Sequence, residues 1–424
     1  MKRTVLFQIL VLTQLAVCAQ RDCRTAEYRT QIMDKYPGVA QRAAAIEAFT
    51  KSLGQARNYI TNGTSAVGVS SGPIMIPVVV HVLYNNSSQN ISDAQVHAQI
   101  DILNQDYQRL NADTVKTAPE FRPVAASCGF RFELARIDTL GYATTGIVRR
   151  HTGISAFDIN DHIKFSSMGG DDAWDRDRYL NIWVGNLTGG ILGYSSVVGG
   201  PSANDGVVIA YTAFGTGGTS QAPFNKGRTA THEIGHWLNL IHTWGDSDCG
   251  DDLVSDTPPQ QTSDRGCPSG VVLSCNNAPL GNMYANFMDF TNDECMNLFT
   301  AGQRDRMQAL FAPGGERYPL LSSNVLTATP LASPTSATVQ SDTGGDPVLV
   351  LYPNPATSQV TVRLTGSTVL GTSVEIYNQV GLKVMTASLT QETTDLNISS
   401  LTRGIYFLKV SDGKSGHVSR FLKM

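Results

Sequence analysis

The stretch THEIGHWLNLIH, Thr231–His242, gathers three of the chain's eight histidines into twelve residues. On a helix, residues four apart share a face. His232 and His236 therefore present their rings side by side, with Glu233 next to the first. Two imidazoles one turn apart can both reach a single metal ion about 2 Å from each nitrogen. Glu233 then lies beside the ion, placed to take a proton from water. A bend near Asn239 would return His242 as a third ligand. Three neutral nitrogens leave one position open, the pattern of a catalytic zinc site and not of a closed structural one. The alternative is a helix with hydrogen-bonded core histidines. The third histidine, in an exported chain, favours the metal.

Export is read from the first residues. Lys2 and Arg3 precede the apolar run VLFQILVLTQLAV and the small residues before Gln20, which is the layout of a secretory signal cleaved after Ala19. The run is short for a membrane span. A lipid anchor on Cys18 is the alternative, with bulky Val17 before it. Cleavage leaves Cys23, Cys128, Cys249, Cys267, Cys275 and Cys295, and an even number in an exported chain favours disulfides. The formal charge of −4 and the absence of basic runs give no sign of a nucleic-acid partner.

Outward from the histidines the texture is that of an α/β layer. IMIPVVVHVLY, from residue 74, is a β-branched run expected of a strand buried on both faces. In the helix that follows, Ser92 and Gln95 make a capping box, and Val96, Ile100, Leu103, Tyr107 and Leu110 recur at helical spacing. FRFELARID, YLNIWVGNL and GVVIAYTAF read as further strands. Residues 20–56 are polar and helix-prone, an appendage with little apolar material. Residues 321–345 are rich in Ser, Thr, Pro and Ala and read as a linker. Residues 346–424 carry short alternating strands with turn residues between them, a separate all-β sandwich.

HEIGHWLNLIH followed by NFMDF at 286–290 resembles the pappalysin family of metzincin metallopeptidases, over roughly residues 57–315. The resemblance implies an α/β (α+β) catalytic domain with a twisted mixed sheet above the zinc helix. It implies zinc on His232, His236 and His242, Glu233 as general base, and Met288 as the apolar Met-turn under the ion; an ordinary core methionine is the alternative for Met288. The chain departs from the family in two places. Asn239 stands for a glycine that takes a left-handed backbone, which Asn tolerates best after Gly. Phe290 replaces a tyrosine whose hydroxyl steadies the tetrahedral intermediate, a loss worth roughly 2–4 kcal/mol. A catalytically weak metal-binding surface protein is the competing reading that Phe290 suggests, and an adhesin acting through its sandwich is another.

The family likeness also pairs Cys249 with Cys275 and Cys267 with Cys295, and it implies calcium in the acidic loop after His242. Ser247, Asp252, Thr257 and Asp264 are the expected ligands, since crowded carboxylates, hydroxyls and carbonyls suit a hard cation; a solvated loop is the alternative. Related pro-segments carry a cysteine like Cys23, whose thiolate would close the zinc's open position. Its alternatives are a disulfide with Cys128 or a free thiol. Glu294, six residues past Met288, is expected to line the pocket for the residue after the scissile bond and to select Arg or Lys; the alternative is a surface carboxylate. The bond Ala56–Arg57 would then be a self-cleavage site and Arg57 the mature start. LYPNPATSQVTV and the last strands resemble C-terminal sorting domains of Bacteroidota cargo of the type IX secretion machinery. The sequence thus reads as a secreted or cell-surface zinc endopeptidase, exported through the periplasm as a zymogen, with protein or peptide substrates.

Overall fold

The computed structural model describes residues 21–60, 72–331, 348–365, 373–378, 382–389, 391, 393–411 and 416–423. The signal segment 1–19 and the linker from residue 332 lie outside the described residues. The chain divides into two compact units, Met1–Ser333 and Pro334–Met424.

In the first unit, β1 (Ile74–Tyr84) runs through the centre of the sheet. Its alternation decides the layering. Ile76, Val78, Val80 and Val82 join the core with α3 (Asp93–Tyr107) and α4 (Arg228–Trp237), whereas Val79 and Leu83 pack into separate clusters on the other face. The strand is buried on both faces, as its unbroken β-branched run requires. Along one edge of β1 lie β2 (Phe130–Leu134) and, end to end with it, β3 (Ile147–His151); on the other edge follow β4 (Leu180–Gly185), β6 (Val207–Ala210) and β5 (Gly193–Ser195). All pairings are parallel except β5 with β6, which makes the sheet mixed. The sheet edge is therefore β5, a three-residue strand too short to show a period.

Two expectations around α3 need correction. Ser92 caps α3 by accepting from the Gln95 amide, but the Gln95 side chain does not return to Ser92. Its amide donates instead to the Phe214 carbonyl and the Thr219 hydroxyl, bracing the loop after β6. The full capping box stands at Thr300 and Gln303, opening α5 (Ala301–Ala309). Leu110 lies beyond the end of α3 and is exposed.

Residues 20–56 are not an appendage. They form α1 (Thr25–Lys35) and α2 (Pro37–Ile60), and Tyr28, Ile32 and Val39 complete a cluster with Phe157, Ile191, Tyr194 and Val197. A few well-placed apolar residues suffice because the sheet side supplies the rest of the core. Ala56–Arg57 lies inside α2 and not in a junction. The first unit also takes in part of the expected linker. Val325 is fully buried with Val79, Ile137 and Tyr179, and Leu331 bridges to Tyr142.

The second unit has two antiparallel sheets. Gln359–Thr365 pairs with Val348–Tyr352 and Thr393–Asn397 in one; Lys383–Ser388, Ser373–Asn378, Gly404–Ser411 and Gly416–Lys423 make the other. Val360, Val362 and Leu396 from the first meet Val374, Ile376, Leu408 and Phe421 from the second in one core, an all-β sandwich.

Candidate active site

The helix α4 carries His232, Glu233 and His236 into the interior under the sheet, and all three are buried. It ends at Trp237. Asn239 takes a left-handed backbone (φ 72°) and its carbonyl is held by the Arg306 side chain. Asn at this position bends the chain as glycine would. The turn delivers His242, and the three Nε2 atoms converge to 3.1–3.2 Å of one another. Each ring is fixed through its other nitrogen. His232 Nδ1 donates to the Phe287 carbonyl and His236 Nδ1 to the Leu240 carbonyl, while His242 Nδ1 pairs with Asp246. That leaves three lone pairs facing one point with no proton between them. Burial and mutual repulsion push His236 down to about 3 and His232 well below the ordinary imidazole range, so these two rings stay neutral.

This donor set fits a zinc ion. The nitrogen triangle puts each corner about 1.8 Å from its centre (an edge divided by √3), close to the usual zinc–nitrogen distance of ~2.0–2.1 Å. Glu233 supplies a second sign, because its Oε1 is buried and has no hydrogen-bond partner among the described residues. Burial pushes the Glu233 carboxyl up to about 7, and hydrogen bonds from Thr25 and Cys23 pull it back.

Met288 lies directly beneath the helix. A Cβ at Gly235 would meet its sulfur at 2.5 Å, so the glycine between Ile234 and His236 is what lets the methionine approach. On the opposite side β5 passes over Glu233 so closely that a Cβ at Gly193 would fall 2.9 Å from the Glu233 Cγ. Phe290 packs its ring on His232, His242 and Trp244. It contributes no hydroxyl.

Residues 22–24 lie in the cleft, joined to β5 by an isolated β-bridge. The Leu192 amide donates to the Asp22 carbonyl, and the Arg24 amide to the Gly193 carbonyl, in parallel pairing with β5. Cys23 thereby points at the histidines, with Sγ 3.6 Å from His236 Nε2 and 3.5 Å from Glu233 Oε2. The sulfur and the three imidazoles form one buried group able to hold a metal. Cys23 is not joined to Cys128; both are free and buried. Thr25 donates to Glu233 Oε2 at 2.8 Å, and Arg29 pairs with Asp246 behind His242.

Sequence reasoning passed over the neighbour of Glu294. Glu294 is exposed beside the Cys267–Cys295 disulfide. Asp293 is the buried carboxylate, and it binds the Arg21 guanidinium at 2.5 Å. Arg21 also donates to the Thr291 carbonyl and the Thr229 hydroxyl and lies over the Phe224 ring. Asp293 Oδ2 in turn accepts from the amides of Lys226 and Arg228 at the start of α4.

Of the four expected calcium ligands, the structure joins only two. The Thr257 hydroxyl donates to Asp252 at 2.8 Å, and the Val254 amide adds a second bond. Asp264 instead accepts from Asn282, and its amide donates to Asp289. Ser247 Oγ lies against Gly250, where a Cβ would meet it at 2.4 Å. Cys249–Cys275 and Cys267–Cys295 are both formed and staple this loop region.

A zinc helix, a left-handed turn and a returning histidine beneath a mixed sheet define a zinc metalloendopeptidase. The comparisons agree. Residues 166–312 match the peptidase M43 family model, described as pregnancy-associated plasma protein-A. The extracellular metalloprotease of Pyricularia oryzae is 30% identical over 323 residues, covering 73% of this chain and 96% of that protein. Mature mirolysin of Tannerella forsythia, solved with a cleaved peptide, is 47% identical at a TM-score of 0.60, covering 61% of this chain and all of that one. A promirolysin mutant from the same organism matches at 43% and 0.66, covering 73% of this chain and all of its own. The chain belongs to the pappalysin family of metallopeptidases. Residues 350–424 match the secretion system C-terminal sorting domain, which places the enzyme outside the cell or on its surface. No helix among the described residues is long and apolar enough to cross a membrane.

Proposed function

We propose that this chain is a latent endopeptidase whose residues 20–56 hold it inactive and whose mature form cuts peptide bonds before Arg or Lys. The observation that carries the reading is Arg21 seated on Asp293 while Cys23 faces the three histidines. The pro-segment offers an arginine to a buried acid beside the metal position, as a substrate would, and substitutes a thiol where a scissile bond would lie. A zinc ion on His232, His236 and His242 would supply an electrophile for the scissile carbonyl and acidify water. Glu233 takes the proton from that water and returns it to the leaving amine. β5 pairs with substrate backbone, and Asp293 orients the arginine that follows the cut. Protein substrates and the type IX machinery are the partners this assigns.

Latency is tested directly. C23A zymogen should mature faster than the parent chain, with a zinc environment that has lost its sulfur. An unchanged X-ray absorption signal in the zymogen, or a Cys23–Cys128 disulfide found by peptide mapping, would refute the thiol's role. Maturation at Ala56–Arg57 requires the last turns of α2 to unwind, because the bond is helical. N-terminal sequencing of the activated enzyme should read Arg-Asn-Tyr.

Phe290 gives a second prediction. Phe290→Tyr restores a hydroxyl next to the histidines and should raise kcat by about a hundred- to a thousandfold, the range of one transition-state donor, with KM little changed. No gain would mean that the chain uses a different donor.

Calcium in the acidic loop, at Asp252 and Thr257, belongs to the same reading. It is supported by Asp252, a carboxyl pushed up to about 7 by burial. A raised carboxyl pKa means that the folded chain keeps a proton the unfolded chain has released. Without a cation, stability therefore falls as pH rises from about 4 through about 7. Calcium would offset this by binding the folded state alone. Protein treated with a calcium-selective chelator should lose melting temperature between pH 5 and pH 8, and calcium should restore it more at pH 8 than at pH 5. A melting temperature indifferent to calcium at pH 8 would exclude the site.

A further inference from the structure

Tyr28 of the pro-segment is buried in a site that latency through Cys23 does not need. Its hydroxyl donates to Asp161 Oδ2 at 2.6 Å. Its ring lies 5.0 Å from that of Tyr194 and 4.8 Å from the Lys164 ammonium. Lys164 is fully buried, pairs with Asp161 Oδ1 at 2.8 Å and donates to the Asn204 carbonyl; the Asn204 side chain donates to Asp161. Asp161 holds this position from a left-handed backbone (φ 65°), an uncommon state for a residue that is not glycine. Every group of the cage except Tyr28 belongs to the catalytic unit's own core or loops.

Removal of residues 20–56 takes Tyr28 away and leaves a concave site with a carboxylate, an ammonium and the Tyr194 ring. Tyr194 stands in β5, the strand against which substrate backbone is expected to pair. Arg21 and Tyr28 lie on opposite sides of Cys23 in sequence. If the pocket of Arg21 takes the residue after the cut, the cage of Tyr28 faces residues before it. We infer that the mature enzyme has a second specificity subsite, formed by Asp161, Lys164 and Tyr194, that takes a tyrosine side chain from the substrate on the amino side of the scissile bond. The inference rests on the zymogen reading above. The phenol suits the site for two reasons. Its hydroxyl can donate to a carboxylate that is otherwise buried, and its ring face meets the ammonium. A site built to bond a hydroxyl discriminates strongly against the analogue that lacks it.

The test uses mature enzyme and peptides with Arg after the cut, placing Tyr, Phe, O-methyltyrosine or Ala at each of the four positions before it. Tyr should exceed Phe by tenfold or more in kcat/KM at one position. O-methyltyrosine, which cannot donate, should fall to the level of Phe or below. Because these arms use the unaltered enzyme, they do not depend on any variant folding. Asp161→Asn should erase the preference for Tyr over Phe at that position. Equal rates for Tyr and Phe at all four positions would overturn the subsite alone. Absence of peptidase activity after removal of residues 20–56 would instead overturn the zymogen reading, and the subsite with it.

Discussion

Replacing Glu233 by glutamine should lower kcat by roughly three to five orders of magnitude while the protein keeps its metal. The side chain keeps its size and its place beneath Gly193, where the approach to β5 is too close for a larger group. It loses the one property the reaction uses, the ability to accept a proton. General-base catalysis by itself is commonly worth about 10²–10⁴, and the same group also delivers the proton to the leaving amine, so both transfers fail together. The three histidines are untouched, each held by an acceptor on its other nitrogen. Zinc content measured by mass spectrometry should therefore match the parent. The paired measurement matters, because a variant that lost zinc along with turnover would report a collapsed site and say nothing about the proton. A Glu233→Gln enzyme that hydrolysed peptides near the parent rate would show that the proton goes elsewhere. In the zymogen the same substitution should leave the pro-segment seated. Thr25 can still donate to the amide oxygen, and the pairing of Asp22 and Arg24 with β5 runs through backbone.

The parts of the site legible in the sequence are those that local spacing controls. His232, Glu233 and His236 share one helical turn, so their convergence needs nothing but a helix. Asn239 was readable as a left-handed turn because few residues tolerate that backbone, and its φ of 72° is the consequence. The run from Ile74 announced a doubly buried strand for an equally local reason. What stayed hidden depends on tertiary neighbours. β5 has three residues and no periodic pattern, yet it is the edge that meets residues 22–24. Residues 20–56 look too polar for a core because their few apolar side chains complete a cluster most of whose other members lie more than a hundred residues away. Gln95 has the spacing of a capping box, but the Phe214 carbonyl and the Thr219 hydroxyl are better partners in the folded chain. The adjacent acids Asp293 and Glu294 are chemically near-identical in sequence. Only the fold decides that the first is fully buried and the second is exposed.

That distinction carries the other large prediction. Asp293→Asn should reduce kcat/KM for substrates with Arg after the cut by about 10²–10³, and the same change at Glu294 should have little effect. Asp293 uses its two oxygens differently. Oδ2 accepts from the amides of Lys226 and Arg228, and Oδ1 faces the guanidinium. In the Asp293→Asn variant the side-chain amide oxygen would stay with the two backbone donors, which leaves the NH₂ turned towards the arginine, donor against donor. Breaking a buried charge pair by removing one partner costs about 3–5 kcal/mol, and each 1.4 kcal/mol is a factor of ten. Substrates with an apolar residue at that position never used the carboxylate and should be cut at near the parent rate, which separates lost recognition from damage to α4. The zymogen provides an independent readout, because Arg21 is bound by the same group. Asp293→Asn should loosen the pro-segment and speed its loss on limited proteolysis, and Arg21→Ala should do the same without altering the mature enzyme's choice of substrate. A mature Asp293→Asn enzyme that still preferred Arg by the parent margin, or a Glu294→Gln enzyme that lost the preference, would return the pocket to Glu294.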